Sequence, residues 1–369
     1  MSPTRIAIAG VGSIGTAHLA ALQASPRCRA SALVDPSPAA RALADAADVP
    51  LYASLDELFA ADRPDGIILA TPNALHVAQA VACIDAGIPV LLEKPIAPTV
   101  AEAERLVAHA EARGAKLLIG HHRAHSPIMA RAQDVIRSGA LGRIVALTGS
   151  ATFHKPDSYF ASATWRREAG GGPMLLNLIH EVHNLRMLCG EIAAVQAIAS
   201  NAVRGFEVED TVAITLRFAS GALGSFMLSD CAASPRSWEQ TSQENPVYAS
   251  DPDEDCYVVA GTHGSLAIPS MRLATFADGA ERSWCTPFER EVVDVRRADP
   301  LARQLEHFGA VIRGEATPLV SARDGLANLR VIEAIADAAR SGKTIELATA
   351  RRGATVTLPD LLPTLQGAQ

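Results

Sequence analysis

The first third of the chain alternates short apolar runs with stretches whose apolar residues follow helical spacing. The apolar runs predict six strands, at 5–9, 32–35, 51–53, 66–70, 89–92 and 116–119. Helical stretches lie between them, at 16–23, 39–47, from Ser54 onward, at 75–86 and at 99–113. Because these strands are apolar on both faces, the pattern is typical of a parallel sheet with helices packed on both sides.

The pattern changes after about Gly120, where apolar and polar residues alternate as in strands with one exposed face. Residues 144–153 predict one such strand, and hairpins follow at 211–229 and 257–268. Helical patterns follow at 173–188, 300–313 and 324–341. Residues 232–255 predict a long irregular loop. We therefore expect a second, α+β domain with a mostly antiparallel open sheet.

The composition narrows the classes of protein and of partner. The 369 residues exceed the usual size of one hydrophobic core, so two domains are expected. Hydrophobic residues make up 49% of the chain, which excludes a disordered or fibrous protein. A net charge of -7 without a basic run disfavours nucleic acid and membrane surfaces as partners. The six cysteines form no CxxC pair and no leader sequence is visible, so a cytoplasmic protein with reduced thiols is expected.

A glycine-rich motif follows the first strand directly and opens the first helix. Its residues are Gly10, Val11, Gly12, Ser13, Ile14 and Gly15. This spacing provides a tight turn, close approach of the main chain to a pyrophosphate, and close packing of helix on strand. Asp35 ends the second strand, where a carboxylate accepts hydrogen bonds from ribose hydroxyls. The motif predicts a dinucleotide-binding Rossmann domain over residues 1–122.

The residues around Asp35 favour NAD over NADP as the dinucleotide. The Asp35 carboxylate would repel a 2′-phosphate, Pro36 follows it, and no Arg comes next to bind that phosphate. The glycine turn alone leaves open a second alternative, S-adenosylmethionine in a methyltransferase. The next two motifs argue against that alternative.

Two motifs stand at the ends of strands in the predicted parallel sheet. They are TPNxxH, with Thr71, Pro72, Asn73 and His76, and EKP, with Glu93, Lys94 and Pro95. Both lie at the carboxyl edge, where open α/β sheets bind their ligands. With the glycine motif, the run at 170–172, His180 and the segment from Pro300 to about Leu347, these residues resemble the Gfo/Idh/MocA family of sugar and cyclitol oxidoreductases.

This resemblance implies an NAD(P)-dependent dehydrogenase or reductase that acts on CH–OH groups. It implies that Lys94 lies beside the nicotinamide and transfers a proton together with His180, which a second domain at 123–369 supplies. It also implies a cis peptide before Pro95, C-terminal helices that pack back on the first domain, and a homodimer or homotetramer. The implied cofactor contacts are Gly10, Gly12, Ser13, Ile14, Gly15, Asp35, Thr71, Pro72, Asn73, His76, Glu93, Lys94 and His122.

The reaction that the resemblance implies requires a base beside the substrate. Loss of hydride from a secondary alcohol gives a carbonyl only if the hydroxyl proton also leaves, so a base must lie within hydrogen-bonding distance. A histidine with its usual pKa of about 6.5 suits that task. A lysine, with a usual pKa of about 10.4, suits it only if burial and a positive nicotinamide lower that value. Otherwise Lys94 orients the hydroxyl as a charged donor.

Around His180 the chain departs from the pattern of the family that it resembles. That family commonly has Asp four residues before this histidine and an acid three residues after it, whereas this chain has Leu176 and His183. Asn177 lies one helical turn from His180 and is expected to bind substrate, although an amide is not a general base. His180 as the base is therefore a hypothesis, and a reaction other than simple dehydrogenation stays open.

Substrate contacts are predicted on both sides of the crevice. They are Lys94, Arg123, Trp165, Arg166, Asn177 and His180. Arg123 leaves the last parallel strand, and the aromatic ring and guanidinium at 165 and 166 match the faces and hydroxyls of a sugar. The clustered histidines lack the HExxH spacing and have no acidic or thiol ligands nearby in sequence, so no metal site is expected.

Three functions remain open. The first is hydride transfer between NAD(H) and a secondary hydroxyl or carbonyl of a sugar, cyclitol or related polyol. The second is NAD-dependent cleavage of a glycosidic bond through transient oxidation. The third is a non-enzymatic nicotinamide sensor, for which the absent acid before His180 is the main argument.

Overall fold

The computed structural model describes residues 2–348, which form two β-sheets with helices packed on them. The first sheet has six parallel strands: β1 (Thr4–Ala9), β2 (Cys28–Val34), β3 (Leu51–Tyr52), β4 (Gly66–Leu69), β5 (Val90–Glu93) and β6 (Leu117–Gly120). Their order is β3-β2-β1-β4-β5-β6. The sequence predicts all six strands, and β2 begins four residues earlier than predicted.

Five helices connect these strands: α1 (Ser13–Ala24), α2 (Ala40–Ala47), α3 (Leu55–Ala61), α4 (His76–Asp85) and α5 (Val100–Ala112). The Ser54 hydroxyl accepts a hydrogen bond from the Glu57 amide at 3.2 Å, which fixes the start of α3 as the sequence predicts. The strand order reverses between β1 and β4, so a crevice opens at the carboxyl ends of these two strands.

The second sheet has nine strands: β7 (Ile144–Thr152), β8 (Ile192–Ser200), β9 (Thr211–Phe218), β10 (Leu223–Ser229), β11 (Tyr257–Gly261), β12 (Gly264–Ile268), β13 (Arg272–Thr275), β14 (Glu289–Val292) and β15 (Ile345–Glu346). Their order is β14-β13-β12-β11-β7-β10-β9-β8-β15. Only β7 and β10 pair in parallel within this sheet, which confirms the predicted, mostly antiparallel arrangement. The sequence pattern does not predict β8, β13, β14 or β15.

Six more helices follow: α6 (Pro127–Arg137), α7 (Asp157–Ala161), α8 (Ile179–Cys189), α9 (Trp238–Ser242), α10 (Pro300–Arg313) and α11 (Ala322–Ser341). The helix predicted at 173–188 begins as a π-helix over Met174–Leu178 and continues as α8. Helix α9 lies inside the predicted loop, and it buries Trp238. Within residues 2–348, no helix is both long and apolar enough to span a bilayer.

Helix α11 belongs to the hydrophobic cores of both sheets. Leu326 and Leu329 pack in the core of the parallel sheet, whereas Ile332 and Ile335 pack in the core of the second sheet. Phe308 of α10 is also fully buried in the first core. The C-terminal helices therefore hold the two sheets together. The last part of the expected second domain, residues 349–369, lies outside the described residues.

Candidate active site

The glycine turn combines two tightly packed glycines with one that faces open space. Gly10 has a φ of +84°, and an added Cβ there would lie 2.6 Å from the Ala70 carbonyl oxygen. A Cβ at Gly15 would lie 1.9 Å from the Gly10 carbonyl oxygen, whereas one at Gly12 meets no atom within 4 Å. No side chain of the described residues caps α1, so the amides of its first turn are available to a phosphate. This arrangement fits a pyrophosphate.

Asp35 follows β2 and faces the same turn. Its carboxylate accepts hydrogen bonds from the main-chain amides of Val11, at 3.0 Å, and of Ser37, at 2.8 Å. Burial acts to raise the pKa of Asp35, but the Ser37 side chain and these two amide bonds outweigh it and hold the pKa below its usual value. The carboxylate therefore stays ionised beside the turn, as binding of ribose hydroxyls requires.

The ends of β4 and β5 are joined by the ring of His76. Its Nδ1 lies 2.8 Å from the Pro95 carbonyl oxygen, and its Nε2 lies 2.9 Å from that of Thr71. The Lys94–Pro95 peptide bond is cis. Pro72 and Asn73 continue from Thr71 into a 3₁₀ turn at the crevice. Because both nitrogens of His76 face main-chain oxygens, its predicted contact with the cofactor stays a prediction.

Glu93 is buried, and its carboxylate is held from the side of α1. The His18 Nε2 lies 2.8 Å from one Glu93 oxygen. A Cβ at Gly120 would lie 2.8 Å from the same carboxylate, so the neighbouring strand needs glycine there. His18 is not predictable from the sequence, since one histidine inside an apolar helix carries no signal of this partner 75 residues away.

Lys94 follows β5 of the first sheet, and His180 lies on α8, which packs against the second sheet. The Lys94 Nζ donates a hydrogen bond of 2.9 Å to the carbonyl oxygen of Leu176, in the π-helix directly before α8. His180 lies in the first turn of α8, and its ring centroid is 5.0 Å from that of His122. The structure therefore brings together the two residues that the sequence analysis assigns to proton transfer.

Burial lowers the pKa of both groups. Burial lowers the pKa of Lys94 to about 8, with Arg123 and Lys155 adding to the effect and Glu93 opposing it. Burial is the main cause that holds the pKa of His180 well below its usual range, and the positive charge of Lys94 adds to the effect. Burial also lowers the pKa of His122 to about 4. At neutral pH both histidines are uncharged, and Lys94 is the group poised to exchange a proton.

Asn177 projects from the π-helix beside a second lysine. The Lys155 Nζ donates to Asn177 Oδ1 at 2.8 Å and lies 3.4 Å from Asp230. Arg204 pairs with the same Asp230, at 2.8 Å. Lys155 is not predictable from the sequence, since no motif distinguishes it from the other polar residues after β7. Lys94 and Lys155 place two cations at the wall of the crevice.

Arg123 is buried and engaged by two carboxylates. Its guanidinium donates to Glu181 of α8 and to Glu239 of α9. The Tyr257 hydroxyl donates to the other Glu181 oxygen, and Asn184 Nδ2 lies 3.0 Å from that hydroxyl. These hydrogen bonds connect α8 and α9 to the segment after β6. They also occupy Arg123, so its contact with a substrate stays a prediction.

Trp165 and Arg166 lie in a 3₁₀ turn ahead of the glycine run. Trp165 is 50% exposed. The Arg166 guanidinium lies 3.9 Å from the centroid of the Tyr159 ring and donates to Ser162 Oγ at 3.0 Å. Contact of either residue with a substrate stays a prediction. Within residues 2–348, the histidine cluster forms no group that could hold a metal ion.

Two sequence models of one family match this chain. Residues 4–121 match the model described as an oxidoreductase family with an NAD-binding Rossmann fold, and residues 129–267 match the Gfo/Idh/MocA C-terminal domain. The chain belongs to the Gfo/Idh/MocA oxidoreductase family. The predicted family, fold class, enzyme class and NAD cofactor are thus confirmed, and the methyltransferase alternative has no support.

Curated and structural relatives in the Gfo/Idh/MocA family match most of the chain. The 1,5-anhydro-D-fructose reductase of Ensifer adhaerens is 28% identical over 303 residues, covering 80% of this chain and 84% of the relative. The rhizopine catabolism protein MocA of Rhizobium meliloti is 26% identical over 341 residues, covering 90% and 94%. The WlbA dehydrogenase from Bordetella pertussis, solved with NADH and UDP-GlcNAcA, has a TM-score of 0.76 and 25% identity over 95% of this chain and 100% of its own.

The Arg123 ion pairs predict a large loss of stability when Arg123 is removed. Substitution Arg123→Met leaves the buried Glu181 carboxylate without its cation, so we expect the free energy of unfolding to fall by about 3–5 kcal/mol. Urea denaturation followed by circular dichroism measures this change. Arg137→Met, which breaks an exposed pair with Asp134, is the matched control and should change it by less than ~0.5 kcal/mol. Equal effects of the two substitutions would contradict this account of the network.

Proposed function

We propose that this protein is an NAD-dependent oxidoreductase that transfers hydride between NAD(H) and a secondary hydroxyl or carbonyl of a sugar, cyclitol or related polyol, with NADP as the less favoured cofactor. The observation that carries the proposal is the convergence of Lys94 and His180 at the carboxyl edge of the Rossmann sheet. Two relatives support this substrate class: the 1,5-anhydro-D-fructose reductase, and the WlbA dehydrogenase solved with NADH and UDP-GlcNAcA.

The residues of the glycine turn and of the strand ends would hold the dinucleotide. Gly10, Gly12, Ser13, Ile14 and Gly15 would surround the pyrophosphate, and Asp35 would bind the ribose. The part of the crevice toward the nicotinamide ring would be lined by Thr71, Pro72, Asn73, His76, Glu93, Lys94 and His122. The open space at Gly12 and the uncapped first turn of α1 support this assignment. Bound NAD supplies the hydride acceptor, and NADH the donor.

Lys94 is the proton-transferring residue in this proposal. Its lowered pKa lets the neutral amine accept the hydroxyl proton during oxidation, and the ammonium returns that proton during reduction. The Leu176 carbonyl orients the amine. Because its pKa lies well below neutral pH, His180 is a weaker base than Lys94, and its role is to form a hydrogen bond with the substrate oxygen.

Polar groups around this pair would bind the remaining hydroxyls of the substrate. Asn177 and Lys155 already share a hydrogen bond at the crevice wall, and a hydroxyl can join both. Trp165 would cover a sugar face, with Arg166 beside it. Arg123 supports this wall through its ion pairs with α8 and α9.

A panel of polyols and sugars with NAD and NADP, followed at 340 nm, tests the reaction class. We expect steady formation of NADH with at least one secondary alcohol. Lys94→Met should lower kcat by about 10²- to 10⁴-fold, the usual contribution of a general base, and change NAD affinity by less than about twofold. The exposed Lys343→Met is the matched control and should leave kcat unchanged.

Two outcomes would contradict the proposed reaction in different ways. Release of a free sugar from a glycoside without accumulation of NADH would favour transient oxidation by a glycosidase. NAD binding without any turnover, together with normal cellular function of Lys94→Met, would favour a nicotinamide sensor.

The pH dependence distinguishes Lys94 from His180 as the base. Oxidation requires neutral Lys94, so kcat/KM for oxidation should rise as pH increases through about 8. Reduction requires the ammonium, so kcat/KM for reduction should fall over the same range. Initial rates between pH 5.5 and 10 in both directions measure these profiles. A profile governed instead by one group with a pKa near 6.5 would assign the base to His180.

We further propose that the chain forms a homodimer or homotetramer through the open face of the second sheet. Ile198 of β8, Met227 of β10 and Val258 of β11 are exposed on this sheet, although all three are apolar. A second copy of the chain would bury them. Residues 1–122 and 123–369 are the two proposed domains, and a reducing cytoplasm suits the free cysteines. We expect no partnership with nucleic acid or membranes.

The proposed assembly predicts a change of mass when that face is charged. The double substitution Ile198→Asp and Met227→Asp should convert the oligomer to a monomer, because buried unpaired carboxylates oppose association. Size-exclusion chromatography with light scattering measures the mass. The matched control is Val247→Asp, an equally apolar and more exposed position outside the sheet. A monomeric wild-type protein would contradict the proposal.

A further inference from the structure

The glycine run ahead of the π-helix packs against a carboxylate that the proposed mechanism does not use. This carboxylate belongs to Glu209, two residues before β9. An added Cβ at Gly172 would lie within 2.7 Å of both carboxylate oxygens of Glu209. The backbone at Gly172 is not left-handed, so glycine is needed there for space and not for conformation. A side chain at 172 and the Glu209 carboxylate therefore exclude each other.

The Glu209 carboxylate caps the helix that begins just after the glycine run. Glu209 Oε1 accepts a hydrogen bond of 2.8 Å from the main-chain amide of Met174, the first residue of the π-helix. The first amides of a helix have no main-chain partner within it, and Pro173, directly before, has no side chain that could cap them. A carboxylate is also favourable at the N-terminal end of a helix. The cap therefore comes from a residue 35 positions later in the chain.

The π-helix that this bond anchors carries the acceptors of both crevice lysines. The carbonyl oxygen of Leu176, two residues after Met174, accepts the hydrogen bond from Lys94. The side chain of Asn177, one residue further, accepts the hydrogen bond from Lys155. A displacement of Met174 would therefore move both acceptors, and with them the orientation of the Lys94 amine.

Glu209 projects from a loop between β8 and β9 that is closed by its own hydrogen bonds. The next residue, Asp210, is buried, and its carboxylate accepts hydrogen bonds from the amides of Val203 and Arg204, both at 2.9 Å. The Asp210 amide donates to the Ser200 carbonyl oxygen at 2.8 Å. The backbone that carries Glu209 is thus fixed independently of the helix that it caps.

The same loop also supports the Lys155 side of the crevice. Arg204 pairs with Asp230 and donates to the Lys155 carbonyl oxygen at 2.9 Å. Burial raises the pKa of Glu209, Asp230 adds to the effect, and the Met174 amide and Lys155 oppose it. Two modes of action of Glu209 are therefore separable: its hydrogen bond to Met174, and its charge near Lys155. The observed bond favours the first.

We propose that Glu209 is a positioning residue whose bond to the Met174 amide holds the π-helix in place for the proposed reaction. The Leu176 carbonyl is thereby kept where it meets Lys94. Gly172 belongs to the same arrangement because it leaves room for the carboxylate. The effect on turnover rests on the proposed function, whereas the bond to Met174 is a property of the protein alone.

Amide hydrogen exchange of ¹⁵N-methionine-labelled full-length protein tests the bond directly. The chain has six methionines, so the ¹H–¹⁵N spectrum is simple, and Met174→Leu assigns the signal of interest. We expect the Met174 amide to exchange at least tenfold more slowly in the wild type and in Glu209→Gln than in Glu209→Ala and Glu209→Asp. Gln retains an acceptor oxygen at the same reach, whereas Ala has none and Asp is one methylene shorter. The Met187 amide, inside α8, is the internal control and should be unchanged.

Steady-state kinetics of the same variants test the positioning role. We expect kcat for polyol oxidation to fall at least tenfold in Glu209→Ala and Glu209→Asp, because the acceptor of Lys94 is no longer held. In Glu209→Gln, kcat should stay within threefold of the wild-type value. The affinity for NAD should change less than twofold in all three. Glu207→Ala, an exposed acid in the same loop, is the matched control and should change neither quantity.

A second variant tests the role of the space at Gly172. Gly172→Ala should reproduce the loss of kcat, since its methyl group displaces the carboxylate. In the Glu209→Ala background the same substitution should lower kcat less than twofold further, because the displaced group is absent. Fully additive losses would contradict a shared action of the two residues.

Several outcomes would overturn this inference. A wild-type Met174 amide that exchanges as fast as in an unstructured peptide would show that the cap does not form, and this measurement decides even if Glu209→Ala does not fold. Full activity of Glu209→Asp with loss in Glu209→Gln would assign the effect to charge. A slowly exchanging Met174 amide without turnover of any polyol would support the cap and count against the proposed function. Polyol turnover with equal kcat in all variants would support the function and overturn the positioning role.

Discussion

The hydrogen bond from Lys94 to the Leu176 carbonyl is the interaction on which the rest of the site depends. It joins the end of a strand in the Rossmann sheet to the π-helix that precedes α8 of the second sheet. An ammonium in that position is removed from water and lies near Arg123 and Lys155, which lowers its pKa toward the range where a base is useful. Its main-chain acceptor carries no charge, so it orients the amine without stabilising the ammonium as strongly as a carboxylate would.

The same geometry depends on α11, since this helix packs in both cores. Leu329 is buried with the first sheet and Ile332 with the second, and Asn328 lies directly beside them on the helix. A shift of α11 would therefore move the amide that faces His121 and His183 as well as separate the two apolar surfaces. Stability and the geometry of these polar contacts are coupled through one helix, because α11 both packs in the two cores and carries Asn328.

The structural features that the sequence predicts are those encoded within a short segment of the chain. Gly10 and Gly15 are required by a particular turn, and buried strands leave continuous apolar runs, so the parallel sheet and the glycine turn follow from local pattern. The links His18–Glu93 and Asn328–His121 join residues 75 and 207 positions apart, and no local pattern specifies them. Strand β8 is missed because its mostly small apolar residues lack the alternation of a half-exposed strand.

The chain has His183 at the position where an acid is expected from the family pattern. A neutral residue there fits a site that already contains the Lys94 cation. A carboxylate at 183 would be an acceptor facing the Asn328 amide and would lie near Arg186, so it would favour a cation on the neighbouring imidazoles. A second cation near Lys94 would lower the pKa of that amine further. Neutral histidines avoid this effect. A lysine base beside neutral histidines is thus a self-consistent arrangement for a chain that has Leu176 and His183 around this site.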